Sequence, residues 1–166
     1  MSVKRNLCAF VLLLSCASAH AVKPGDVAPS FAETPLWNGG SLRAGHYVGK
    51  VVYLDFWASW CAPCRESFPE LQALEKKYGA DGLAVIAVNV DESRADIERF
   101  LQWSKTDFLV LRDEGGALAA RYALKTMPMS FLIDREGKVA YTHLGFRRSD
   151  IPLLEEKISA LLRHKR

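Results

Sequence analysis

The chain has 166 residues, 49% of them hydrophobic and 25% charged, which is ordinary usage for one globular domain and not for a disordered or collagen-like chain. No apolar run approaches the roughly 18 residues of a spanning helix, which argues against a polytopic membrane protein. Net charge is +3, and Lys4 and Arg5 are two of the 22 basic residues. Without the first 21 residues the balance is 20 basic to 19 acidic, which leaves no basic footprint for nucleic acid.

The N-terminus reads as an export signal over residues 1–21. Lys4 and Arg5 form a positive region, Leu7 to Leu14 an apolar run, and Ala17 to Ala21 a small-residue cleavage zone. Cleavage after Ala19 or after Ala21 fits, and a periplasmic or otherwise exported domain over 22–166 follows. Leu13-Leu14-Ser15-Cys16 also resembles a lipobox, which would make Cys16 a lipid anchor. Residues 22–50 are rich in Pro and Gly, with a turn at Gly39-Gly40 between short strands expected near Phe31 and Leu42. Val51 to Trp57 is a β-branched and aromatic run that predicts a buried central strand. A helix follows from Cys61 to Gly79, with Phe68, Leu71, Leu74 and Tyr78 on its apolar side.

Leu83 to Val90 predicts a second buried strand, and Ser93 is placed to cap a helix carrying Ile97, Phe100 and Leu101. A short strand near Leu109 and a helix near Gly116–Tyr122 come next. Phe131–Asp134 and Lys138–Leu144 flank Arg135-Glu136-Gly137 as a hairpin, and a last helix carries Ile151, Leu154, Ile158 and Leu161. Strands alternating with helices predict an α/β sandwich.

The four cysteines stand at 8, 16, 61 and 64. Cys8 and Cys16 belong to the export signal, which leaves Cys61 and Cys64 as a Cys-Ala-Pro-Cys pair at the start of a helix. There the unpaired N–H groups and the positive end of the dipole favour a thiolate on Cys61, and Pro63 costs no helical bond. The implied chemistry is attack by Cys61 on a disulfide and resolution by Cys64. Two other readings compete. An inert structural disulfide closes too small a loop to remove much chain entropy. A metal knuckle needs two more ligands, whereas His46, His143 and His164 are scattered. No metal and no cofactor beyond the redox-active disulfide is therefore expected.

Phe56-Trp-Ala-Ser-Trp-Cys-Ala-Pro-Cys-Arg65 resembles the active-site segment of the thioredoxin superfamily. Pro24-Gly-Asp-Val-Ala-Pro-Ser-Phe31 and Thr126-Met-Pro-Met-Ser-Phe-Leu-Ile-Asp134 resemble the lead-in and the cis-proline segment of exported TlpA/ResA-like thiol:disulfide oxidoreductases. The likeness covers nearly all of 22–166. It implies a thioredoxin-like sandwich: a central mixed sheet flanked by helices, an N-terminal extension, and an inserted helix and strand over 93–112.

Three site residues follow from the resemblance. Asp55, six residues before Cys61, matches a buried acid that would exchange a proton with Cys64; a solvent-facing strand-end Asp is the alternative. Pro128 matches the cis-proline beside the substrate groove, against an ordinary trans turn. Trp60 would shield the site, with plain core packing fitting Trp57 better. Met127 and Met129 depart from the family pattern: they flank Pro128 where small polar residues are common, and either make the groove apolar or fill core gaps. One departure stands out. Ser67 occupies a place where many relatives carry Glu, and Glu66 is turned about 100° away from that face.

The leading expectation is a reductant of protein disulfides, fed by a membrane electron donor of the thiol-transfer type. Its clients are left open among apocytochrome c thiols, copper-site proteins and misoxidised proteins. The alternative is a copper-binding or copper-delivery protein using Cys61, Cys64 and Met127 without turnover. A thiol peroxidase would set its cysteine in a different motif.

Overall fold

The structure, a computed structural model, describes residues 21–164. The expected export signal over 1–21, with Cys8 and Cys16, therefore lies outside the described residues apart from Ala21. Five strands form one sheet: β1 (Val51–Trp57), β2 (Leu83–Asn89), β3 (Leu109–Arg112), β4 (Met129–Ile133) and β5 (Val139–Leu144). Their order is β3-β2-β1-β4-β5. β1, β2 and β3 run parallel, while β4 pairs antiparallel with β1 and β5 antiparallel with β4. The helices are α1 (Ala62–Tyr78), α2 (Arg94–Ser104), α3 (Ala117–Arg121) and α4 (Ile151–Arg163). This is the thioredoxin-like mixed sheet, with the 93–112 segment supplying α2 and the edge strand β3. Among the described residues no helix is long and apolar enough to cross a membrane.

β1 is buried along its whole length because it is central and covered on both faces. Alternation sorts its side chains. Val51, Tyr53 and Trp57 join residues of α1, α2 and α4 in one apolar cluster. Val52, Leu54 and Phe56 join Phe31, Leu42, Leu118 and Tyr122 in the other. Asp55, by the same alternation, faces the α1 side. α1 stays continuous although Pro69 stands inside it and removes a bond to the Arg65 carbonyl. Buried Phe68, Leu71 and Leu74 dock the helix on either side of that gap.

Two expectations need correction. No strand forms near Phe31 or Leu42. That stretch is a coil strap whose ladder contacts are single bridges, Val27 to Lys138 and Leu36 to Leu111. The prolines at 24, 29 and 35 deny it a continuous row of donors, so Phe31 and Leu42 act as apolar anchors instead. The Gly39 turn is present, with its N–H donating to the Leu36 carbonyl at 2.9 Å. Ser93 stands at the N-cap of α2 in extended backbone but makes no side-chain capping bond. The expected β4–β5 hairpin is present, and Asp134 holds its turn, its Oδ1 accepting from the N–H groups of Glu136 and Lys138 at 3.0 and 2.8 Å.

Candidate active site

β1 delivers the chain to the site at its C-terminal end. The Trp57 carbonyl accepts from the Val90 N–H at 3.1 Å, and residues 58–60 then turn into α1. The turn is pinned by a buried carboxylate. Asp91 accepts from the Ser59 N–H at 2.8 Å and from its hydroxyl at 3.2 Å, and from the Asn89 side-chain amide at 2.8 Å. Asn89 in turn accepts from the Asp91 N–H at 2.9 Å. A charged acceptor with this many donors is a rigid anchor. Arg65, one turn into α1, donates to the Ser59 carbonyl at 3.3 Å and lies over the rings of Phe100 and Trp103 at 5.2 and 5.3 Å.

Cys61 is the N-cap of α1, with extended backbone, and its Sγ accepts from the Cys64 N–H at 3.2 Å. The two cysteines form a disulfide of 2.05 Å, with Cα atoms 5.3 Å apart. Cys61 therefore occupies the place where unpaired helix donors and the dipole stabilise negative charge on sulfur. Both cysteines are buried, while Ala62 and Pro63 between them are exposed and carry no charge.

Asp55 is 1% exposed. Its Oδ1 accepts from the Ser130 hydroxyl at 2.6 Å, and Ser130 accepts from the Tyr53 hydroxyl at 3.1 Å. Its Oδ2 is buried without a partner. Burial pushes the Asp55 carboxyl up to about 7, against a smaller downward pull from Ser130. Burial and the neighbouring Asp55 charge push the Tyr53 hydroxyl far above its ordinary value, so it stays neutral and donates.

The Met127–Pro128 bond is cis, and the buried Pro128 leads directly into β4. Its carbonyl accepts from the Gly145 N–H at 2.8 Å. The two methionines part company. Met127 is half-buried against the cluster that holds Cys61 and Cys64, whereas Met129 fills the core on the opposite face. The tryptophans separate too: Trp57 is buried between Phe68 and Phe100, and Trp60 is 71% exposed beside Cys61. Ser67 is buried and donates to the Cys64 carbonyl at 3.0 Å, while Glu66 points outward. Among the described residues no three His, Cys, Asp or Glu side chains gather as a metal site would require.

A family model described as Redoxin matches residues 23–158. The chain belongs to the Redoxin family. Its Redoxin relatives include the thiol-disulfide oxidoreductase ResA of Bacillus thuringiensis subsp. konkukian, 36% identical over 115 residues. That match covers 69% of this chain and 66% of that protein's length, just short of two thirds. ResA of Bacillus cereus strain ZK is 33% identical over 129 residues, 78% of this chain and 74% of that one. Among solved structures, one described as a thiol:disulfide interchange protein DsbE from Chlorobium tepidum is 46% identical. It superposes with a TM-score of 0.80 over 86% of this chain and 99% of that one. Another, described as a protein disulfide isomerase from Bacteroides thetaiotaomicron, is 26% identical with a TM-score of 0.77, covering 86% and 92%. This Redoxin chain thus groups with ResA-like thiol–disulfide oxidoreductases in the thioredoxin superfamily, and its cysteine pair stands at disulfide distance.

The sequence reading missed Ser59, Asn89, Asp91, Tyr53 and Ser130 as parts of the site. A signal existed for two of them: Asn89 and Asp91 close β2 at the carboxyl end of a parallel strand, where α/β folds place their sites.

Proposed function

We propose that this protein is exported and reduces disulfides of protein clients, with Cys61 as nucleophile and Cys64 as resolving cysteine. The observation that carries the reading is Cys61 at the N-cap of α1, bonded to Cys64, on the α1 side of β1 that Asp55 also faces. Reduced Cys61 attacks a client disulfide and expels one client sulfur as thiolate. The Cys64 thiol then gives its proton to the unpartnered Oδ2 of Asp55, and its electron pair forms the bond to the Cys61 sulfur. The Cys61–client bond breaks, the second client sulfur leaves, and two electrons have passed from the cysteine pair to the client. Exposed Trp60, half-buried Met127 and cis-Pro128 form the client groove. The Pro128 carbonyl is already taken by Gly145, so Met127 supplies the backbone that meets a client strand. The names of the ResA relatives support the chemistry. Lys4, Arg5, the Leu7–Leu14 run and the small residues before Val22 support export, with Cys16 as the lipid anchor if the lipobox is used. Turnover outside the cytoplasm then draws electrons from a membrane thiol-transfer donor.

The uncharged Ala62-Pro63 pair supports the reductant direction. No cation lies between the cysteines to overstabilise the reduced form, so the potential falls nearer about −270 mV than the about −120 mV of a strong oxidant. Equilibration in glutathione buffers checks this, and a value above about −180 mV overturns the reductant reading. A Cys64→Ser variant captures clients as mixed disulfides on Cys61; an exported-protein extract that yields no adduct argues against protein clients.

A further inference from the structure

One row of the sheet extends beyond Asp55. In register, Asp55 of β1 stands opposite Ser130 of β4, and Ser130 stands opposite His143 of β5. Directly opposed residues share a face, so all three side chains lie on the α1 side, with Cβ spacings of about 4.5–5.5 Å at each step. His143 is only 8% exposed. Its Nε2 lies 3.2 Å from Asp150 Oδ2, while its Nδ1 is buried with no partner. Asp150 opens the turn into α4, also accepts from the Arg147 N–H at 2.8 Å, and its side chain is 28% exposed. The row thus runs from a buried carboxyl through a hydroxyl and an imidazole to a carboxylate that touches water.

We infer that His143, with Asp150, carries the proton of Asp55 to and from solvent through the Ser130 hydroxyl. This rests on the reading of Asp55 as the base for Cys64. With Nε2–H donating to Asp150, Nδ1 is an acceptor, and it is the buried ring nitrogen left without a partner, on a residue directly opposite Ser130 in the ladder. As Ser130 receives the carboxyl proton it turns its own proton to Nδ1, and the Nε2 proton passes to Asp150 and water. One proton leaves Asp55 and one reaches solvent; His143 stays neutral but is left as the Nδ1–H tautomer, and it returns to the Nε2–H form by exchange through Asp150 and water before the next transfer. Asp55, 1% exposed, has almost no surface of its own to do this directly. His143 acts at one remove from the sulfurs and is a positioning residue for this path.

The titratable and charged groups around His143 are few. Tyr141 on its own strand lies alongside, ring centroids 6.4 Å apart. Asp150 approaches from the turn before α4, and Tyr53 and Asp55 stand across Ser130 on β1. The Asp150 charge reaches the Tyr53 hydroxyl, which places the two ends of the row in one electrostatic neighbourhood. Arg148, next to Asp150 on the outside, is paired with Glu70 of α1 at 3.6 Å.

The test follows the lifetime of the mixed disulfide. The fully reduced protein is mixed with oxidised glutathione from pH 5 to 9, and the glutathione adduct on Cys61 is followed by rapid acid quench and mass spectrometry. Wild type is compared with Asp55→Asn and His143→Gln, the latter keeping a donor for Asp150 while lacking a relay atom. Asp55→Asn lengthens the adduct lifetime across the range. His143→Gln lengthens it about tenfold below pH 7, where Asp55 must lose a proton before it can accept one, and the effect fades by pH 9. Imidazole in the buffer shortens the lifetime in His143→Ala but not in Asp55→Asn. A His143→Gln protein with the wild-type lifetime and pH profile overturns the relay, and the Asp55 reading stands if Asp55→Asn is slow. If Asp55→Asn is unchanged as well, both fall, and a wild type that forms no adduct sinks the functional reading itself. Should the His143 variants fail to fold, the wild type decides: resolution in mixtures of light and heavy water gives a bowed rate dependence for a relay, and a straight line overturns it.

Discussion

Asp55 is a cost the fold accepts at its centre. Its carboxyl titrates near 7 in the native state and near 3.8 as an unperturbed group. Between those values the folded protein binds more protons than the unfolded one, so the contribution of this residue to stability falls as pH rises from about 4 to about 7. Asp55→Asn removes that penalty. Urea unfolding of the oxidised protein is expected to show the variant gaining on wild type with rising pH, by on the order of 4 kcal/mol from pH 4 to pH 8. Parallel curves across that range would show that Asp55 ionises freely in the fold. Asp55 is recognised through the resemblance, by its place six residues before Cys61, and as a charged residue in an apolar strand run it is also visible in the sequence. Ser130 and His143 are not, because a serine and a histidine acquire meaning only when β4 is laid beside β1 in a register that joins residues 75 apart.

At the scale of the elements, α1 is what presents the cysteines, and it is held from below by aromatic packing. Phe68 stacks edge-on against Trp57 at 4.7 Å and Phe100 at 4.8 Å, with Phe108 at 5.3 Å. Phe68→Ala is expected to cost about 3–5 kcal/mol, through lost transfer energy and the cavity left beside Trp57. Denaturant titration followed by tryptophan fluorescence measures it, and a loss under about 1 kcal/mol would mean the helix is held elsewhere. The strands and helices were legible from their patterns: a near-continuous β-branched and aromatic run in β1, and apolar residues three and four apart in α1. The strap before β1 was not. Phe31 and Leu42 carry the apolar signal of strands, but prolines and glycines around them break the ladder, and only the exposed sheet face they cover explains their burial.

For the whole molecule, that strap closes the second layer of the sandwich. α3 has five residues and cannot cover the face of β1, β2 and β4 alone. The strap adds Phe31 and Leu42 and is tied down by the Tyr122 hydroxyl, which donates to the Pro29 carbonyl at 2.8 Å. A chain beginning at Arg43 is expected to lose cooperative unfolding and to bind a hydrophobic dye, since the apolar cluster around Val52 and Ile133 would lose Phe31 and Leu42 as cover. Cooperative melting within a few degrees of the full chain would show the strap to be dispensable. The sequence by itself determined the order of elements and the reactive pair, because both are written in local patterns: hydrophobic period, helix start and cysteine spacing. Only the tertiary structure decided which tryptophan packs and which faces out, which methionine lines the site, and that Asp55, Ser130 and His143 share a row. Those facts depend on which strands become neighbours and in what register, and pairing across 75 residues leaves no trace in the stretches being paired.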